Sequence, residues 1–133
     1  MAKSQGVRPN PPTRTSPPPV QVFGFDDSQP TRHALRFFRE RRVAVSYVDL
    51  ARRAIAAAEL RPFVERFGAR ALVDDTGRAY RDTLVAHLRM DDAELVERLL
   101  ANNRLLRLPL VRRGRDRVVG RDESGWTRLS KGE

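Results

Sequence analysis

Asp26-Asp27-Ser28-Gln29-Pro30-Thr31-Arg32 puts two hydroxyls and a guanidinium at the start of what reads as a helix. Ser28 is a good N-cap residue type, and a proline two positions later is acceptable in a first helical turn. The free N–H groups and dipole at such an end attract anions, so Ser28, Thr31 and Arg32 make a candidate anion-binding loop. Asp26 and Asp27 beside it weaken that reading. Ser28 is also a conceivable nucleophile, but a serine hydroxyl needs an adjacent base to activate it. The chain's two histidines are His33 and His87. His33 sits on the same helix with no reason to reach Ser28, and His87 is distant in sequence. Serine catalysis is therefore not expected. The simplest account is that Ser28 caps the helix and Arg32 is a solvated cation.

Cysteine is absent. That excludes disulfides, thiolate metal sites and self-contained thiol chemistry. The charge is strongly basic, with Lys+Arg 26 against Asp+Glu 17 and a net charge of +9. Such a balance favours acidic partners: nucleic acid, phosphate-rich ligands or acidic protein surfaces. A coding bias that writes arginine at tolerant surface positions would give the same balance. The densest basic stretches are Arg36-Phe37-Phe38-Arg39-Glu40-Arg41-Arg42 and Arg112-Arg113-Gly114-Arg115-Asp116-Arg117. Solvated faces are the usual explanation for such runs. No apolar run approaches the ~18 residues of a membrane-spanning helix. No apolar signal-type segment opens the chain, so the cytoplasm is the expected compartment.

These residues need elements to position them. Residues 1–19 carry six of the nine prolines and three basic residues, Lys3, Arg8 and Arg14. They are expected to form a disordered Pro/Arg-rich tail, because they cannot bury enough surface to offset ordering. Residues 20–133 suffice for one domain. Val20 to Phe25 reads as a first strand, Thr31 to Arg41 as a helix, and Val43 to Asp49 as a second strand parallel to the first. Ala51 to Ala58 is ambiguous between loop and helix. Leu60, Phe63, Val64 and Phe67 define an amphipathic helix that Gly68 stops, with Pro62 near its start. A short helical segment is expected around Tyr80 to His87. Asp91 and Glu94 have capping-box spacing ahead of a further helix that ends near Asn102-Asn103. Leu108 to Arg112 and Arg117 to Gly120 flank a polar turn and read as a hairpin, and Asp122 to Leu129 as a last helix. The expected fold is α/β: a mixed sheet of one parallel βαβ unit plus a C-terminal antiparallel hairpin, flanked by helices. Trp126 and the phenylalanines are expected in the core.

That order is the thioredoxin-like one, and three local sequences narrow it. Val22-Phe23-Gly24 followed by Ser28-Gln29-Pro30-Thr31-Arg32-His33-Ala34-Leu35 is similar to the strand, loop and helix of the arsenate-reductase-like (ArsC/Spx) family. In that family the loop reads Cys-x-x-(Cys or Ser)-Arg. Asn103-Arg104-Leu105-Leu106-Arg107-Leu108-Pro109-Leu110-Val111 resembles the family's Asn/His-Pro-x-Leu-(Ile/Leu)-x-Arg-Pro-(Ile/Val)-(Ile/Val) segment. Val118-Val119-Gly120-Arg121-Asp122-Glu123 with Trp126 resembles its closing strand, glycine and helix, and the connector at Gly77, Tyr80, Arg81 and Leu84 fits as well. The resemblance implies a thioredoxin fold in which Pro109 is a structural cis-proline beside the loop. Ser28 then stands at the nucleophile position, Thr31 at the second loop position, and Arg32 matches the family arginine. Leu108 stands where the family has an arginine before the proline, with Arg107 one position earlier.

The family's reaction uses a thiolate that attacks the oxyanion and then forms a mixed disulfide with glutathione or glutaredoxin, and Ser28 cannot exchange disulfides. The expectation is thus a non-catalytic, cysteine-less member with no catalytic residue, metal or cofactor. Ser28, Thr31, Arg32 and Arg107 are its candidate anion-binding residues. It would meet a macromolecular partner through Arg8, Arg14, Arg36, Arg39, Arg112, Arg113 and Arg115. The partner would be an acidic protein surface, RNA polymerase (by analogy with Spx-type members) or nucleic acid, with no membrane involved and glutathione not expected. The alternative is a glutathione/glutaredoxin-linked reductase of the arsenate-reductase type that borrows a thiol from outside the chain.

Overall fold

The computed structural model describes residues 18–82 and 90–132. Residues 1–17 with Arg8 and Arg14, and the 83–89 part of the expected Tyr80–His87 segment with Leu84 and His87, lie outside the described residues.

A four-stranded sheet organises the fold. Its strands are β1 (Val20–Gly24), β2 (Val45–Asp49), β3 (Leu110–Arg113) and β4 (Asp116–Val119), in the order β2-β1-β3-β4. β1 pairs parallel with β2, and antiparallel with β3, which forms the hairpin with β4. This is the expected mixed sheet. The hairpin strands run closer to the turn than their polar ends suggest, leaving Gly114 (φ 60°) and Arg115 as the loop. A positive φ is cheap only for glycine.

Alternation along the strands builds two cores. Val20, Val22, Val111 and Val118 face α1 (Gln29–Glu40) and α5 (Glu123–Ser130), joining Ala34, Phe37, Phe38, Trp126 and Leu129. Phe23, Phe25, Val48 and Leu110 face the other way, onto α2 (Ala57–Phe67) and α4 (Asp92–Ala101), through Leu60, Phe63, Leu95 and Leu99. Trp126 is completely buried, whereas Phe67 is 37% exposed.

Several element bounds differ from the expected ones by a residue or two, and at three starts a specific contact explains the position. α1 begins at Gln29 because Ser28 caps it there. β2 starts at Val45 because Arg42, at φ 59°, closes the end of α1 with Arg42 N–H on Arg39 O and Val43 N–H on Phe38 O. α2 begins at Ala57, within the stretch left open between loop and helix, since Glu59 Oε1 accepts the Ala56 N–H at 2.9 Å and does the work of a capping side chain. A five-residue helix α3 (Arg78–Asp82) precedes residues 83–89. The Asp91–Glu94 capping box forms in both directions, with Glu94 N–H on Asp91 Oδ1 at 2.9 Å and Asp91 N–H on Glu94 Oε1 at 3.2 Å.

Candidate functional site

The turn between β1 and α1 is fixed from both sides. Ser28 has extended backbone, and its Oγ accepts the Thr31 N–H at 3.3 Å. The hydroxyl is therefore engaged in capping. Thr31 points inward rather than toward the turn's outer face. It is completely buried, and a Cβ on Gly24 would overlap its side chain. Its Oγ1 has no hydrogen-bond partner. Arg32 is exposed and donates to Asp26 O at 2.9 Å.

A hollow of about 580 Å³ opens beside Ser28, walled by Phe25, Pro30, Asn102, Leu106 and Leu108. Among the described residues its charged lining is Asp27, Asp74 and Asp82 against Arg78 and Arg104. Arg104 reaches it from the short 3₁₀ turn Asn103–Leu105. Its guanidinium donates to Asp27 Oδ1 at 2.7 Å and stacks 3.7 Å above the Phe25 ring. That hydrogen bond holds the Asp27 carboxyl below its ordinary range, against a smaller opposing effect of burial. The cation beside Ser28 is thus partly neutralised, and among the described residues carboxylates outnumber guanidiniums in the lining.

Arg107, the other anion-binding candidate, is built into the scaffold. Its Nη2 donates to Val73 O at 2.9 Å and lies 3.6 Å from Asp75 Oδ1, while its backbone N–H bonds Leu72 O at 2.7 Å. Gly120 lies so close to the Arg107 stem that a Cβ there would be 3.1 Å from it. Arg107 does not line the hollow, and its neighbours Leu106 and Leu108 do. Of the four candidates, only Ser28 reaches the hollow. The Leu108–Pro109 peptide is cis, and Pro109 O accepts the Gly120 N–H at 2.9 Å. Because Leu108 and Ser28 line the same hollow, β1, the Ser28 turn and Pro109 converge as the resemblance implies.

Among the described residues, the partner of Ser28 Oγ is the Thr31 N–H, and no histidine is paired with it. His33 is committed elsewhere, with Nε2 2.7 Å from Glu123 Oε2 and its ring edge-on to Trp126 at 5.2 Å. Among the described residues, no group of three or more His, Cys, Asp or Glu side chains could hold a metal ion. No described helix is long and apolar enough to cross a membrane.

The candidate partner-binding arginines divide into two groups. Arg36, Arg39 and Arg115 are exposed. Arg112 donates to Gln21 Oε1 at 3.0 Å. Arg113 ties down the chain, with Nε on Pro18 O at 2.7 Å and Nη1 on Leu129 O at 2.8 Å, at the end of α5. Beside them Arg117 loses proton affinity through burial first and then through repulsion by Arg112 and Arg66.

The sequence singles out neither Arg104, which lines the hollow, nor Asn103 beside it in the 3₁₀ turn. The partner of Arg104, Asp27, is 77 positions away. Asn103 is buried, accepting the Ile55 N–H at 2.9 Å and donating to Leu99 O at 2.8 Å. A polar residue next to a helix end was the only local signal for either.

Comparison with known proteins agrees with the fold. The family model described as the ArsC family matches residues 23–129. Among solved structures, a YffB protein superposes with a TM-score of 0.76 at 19% identity, covering 82% of this chain and 96% of its own. An arsenate reductase from Vibrio cholerae gives 0.72 at 15% identity, covering 83% and 96%. An arsenate reductase (ArsC) related protein from Brucella melitensis gives 0.65 at 17% identity, covering 92% and 99%. No curated protein matches the chain.

Proposed function

The chain belongs to the ArsC family, and from that premise we propose that it is a member that recognises a macromolecular partner and does not reduce arsenate. One observation carries the proposal. The position of the family nucleophile is held by Ser28, whose Oγ is engaged by the Thr31 N–H at 3.3 Å, in a chain without cysteine. Neither the thiolate attack nor the mixed disulfide has an atom on which to occur.

Recognition then falls to the basic surface. Arg36, Arg39 and Arg115 are exposed, and Arg8 and Arg14 add charge in the N-terminal segment of a chain carrying +9. An acidic protein surface, the transcription machinery or nucleic acid fits that chemistry. The test is co-purification from lysate with the tagged full chain, with and without nuclease. A defined partner that leaves as salt is raised supports the proposal. Retention of nothing above a control of equal charge contradicts it. Removing residues 1–17 should lower affinity for that partner without lowering the melting temperature.

A further inference from the structure

β2 is an edge strand: β1 pairs with one side of it, and among the described residues no strand pairs with the other. Val20 N–H donates to Ala44 O and Leu50 N–H to Gly24 O. In a parallel ladder with that register, the backbone groups of Val45 and Tyr47 point away from the sheet. Against this edge lies a groove of about 540 Å³, with a floor of Leu35, Val43, Val45 and Tyr47 and a rim of Arg39 and Arg42. The floor residues are half-buried and packed on the α1-side core, so the groove is backed by rigid structure. Tyr47 is held across it by donating its hydroxyl to Asp26 Oδ1 at 2.8 Å. Arg39 and Arg42 take part in none of the ion pairs among the described residues.

We propose that this groove docks an extended acidic-apolar segment of a protein partner. The partner's backbone adds to β2, an apolar side chain enters over Leu35 and Val45, and carboxylates meet Arg39 and Arg42. Open strand-edge groups and an apolar floor give a polypeptide what it needs and offer a nucleic acid little. A second copy of the chain fits poorly, because pairing through the same edge would set Arg39 and Arg42 of both copies along one seam. Asp26 and Asp49 flank the far end of the edge, so the partner's carboxylates belong at the Val43 end. This inference deepens the reading that the chain is a recognition protein, and rests on it.

The test selects random dodecapeptides displayed on phage against the full chain, then measures the enriched peptide in solution. The expected result is a peptide alternating apolar and acidic residues, with the Val45 and Tyr47 amides gaining hydrogen-exchange protection on binding. Arg39→Glu should weaken it about tenfold or more, as lost charge-assisted contacts would. Arg42→Gly, whose φ of 59° suits glycine, should weaken it in the same direction without unfolding the chain. No enrichment, enriched peptides without carboxylates, indifference to both substitutions, or self-association through β2 would each overturn the inference. If lysate capture survives both substitutions, the groove fails while recognition stands. If the unaltered chain captures nothing, recognition fails first.

Discussion

Thr31 and Gly24 form a lock in which each residue type explains the other. The glycine exists because the threonine side chain fills the space over it, and the threonine is buried because α1 packs there. The lock leaves Thr31 Oγ1 buried without a hydrogen-bond partner, and such a hydroxyl costs about 1–3 kcal/mol. Thr31→Val keeps the shape and removes the hydroxyl, so it should stabilise the chain by about 1 kcal/mol, read as a higher midpoint in urea. Gly24→Ala should destabilise by about 1–3 kcal/mol, because the added methyl has no room. A loop match suggests that Thr31 faces a ligand. That reading fails at this scale because strand–helix proximity, which decides where the side chain points, leaves no mark on the residues of the loop itself.

Elements are held by a few polar contacts whose partners are far apart in sequence. Asn103 joins the end of α4 to Ile55 in the loop before α2. Asn103→Ala would leave the buried Ile55 N–H unpaired, and a loss of about 2 kcal/mol is expected by chemical denaturation. At the start of α2, Glu59 accepts two hydrogen bonds of 2.8 Å from Arg53 and one from Ala56. The Arg53 bond first, then the Ala56 N–H, hold its carboxyl below the ordinary range, with burial opposing them. A carboxyl depressed in the folded state stabilises above its unfolded pKa, and that contribution is lost as pH falls through the folded pKa. Glu59→Gln should therefore lower the melting temperature at neutral pH, and the gap to the unaltered chain should close in acid. Helix existence was legible from apolar spacing. The start of α2 was not, because alanine at the cap position hides a contact made by Glu59.

At the scale of the molecule, strand alternation and helix periodicity carried the two-faced sheet, and the order of turns and capping signals carried its mixed pairing. The hollow was legible only in part. Ser28 and Pro109 could be placed beside it from local motifs, whereas Asp27 and Arg104 meet across 77 positions that only the folded chain brings together. Charge was legible as a total and not as a pattern, since Arg112 and Arg113 hold the sheet and chain together while Arg36 and Arg39 stay exposed. If those exposed cations carry recognition, raising salt should weaken partner binding steeply while leaving the melting temperature nearly unchanged. The decisive question is what a scaffold without cysteine can do. Its most direct test follows NADPH oxidation by the purified full chain with arsenate, glutathione, glutaredoxin and glutathione reductase. The rate should equal that without the chain at every concentration, and a rate rising in proportion to the chain would contradict a non-reducing role.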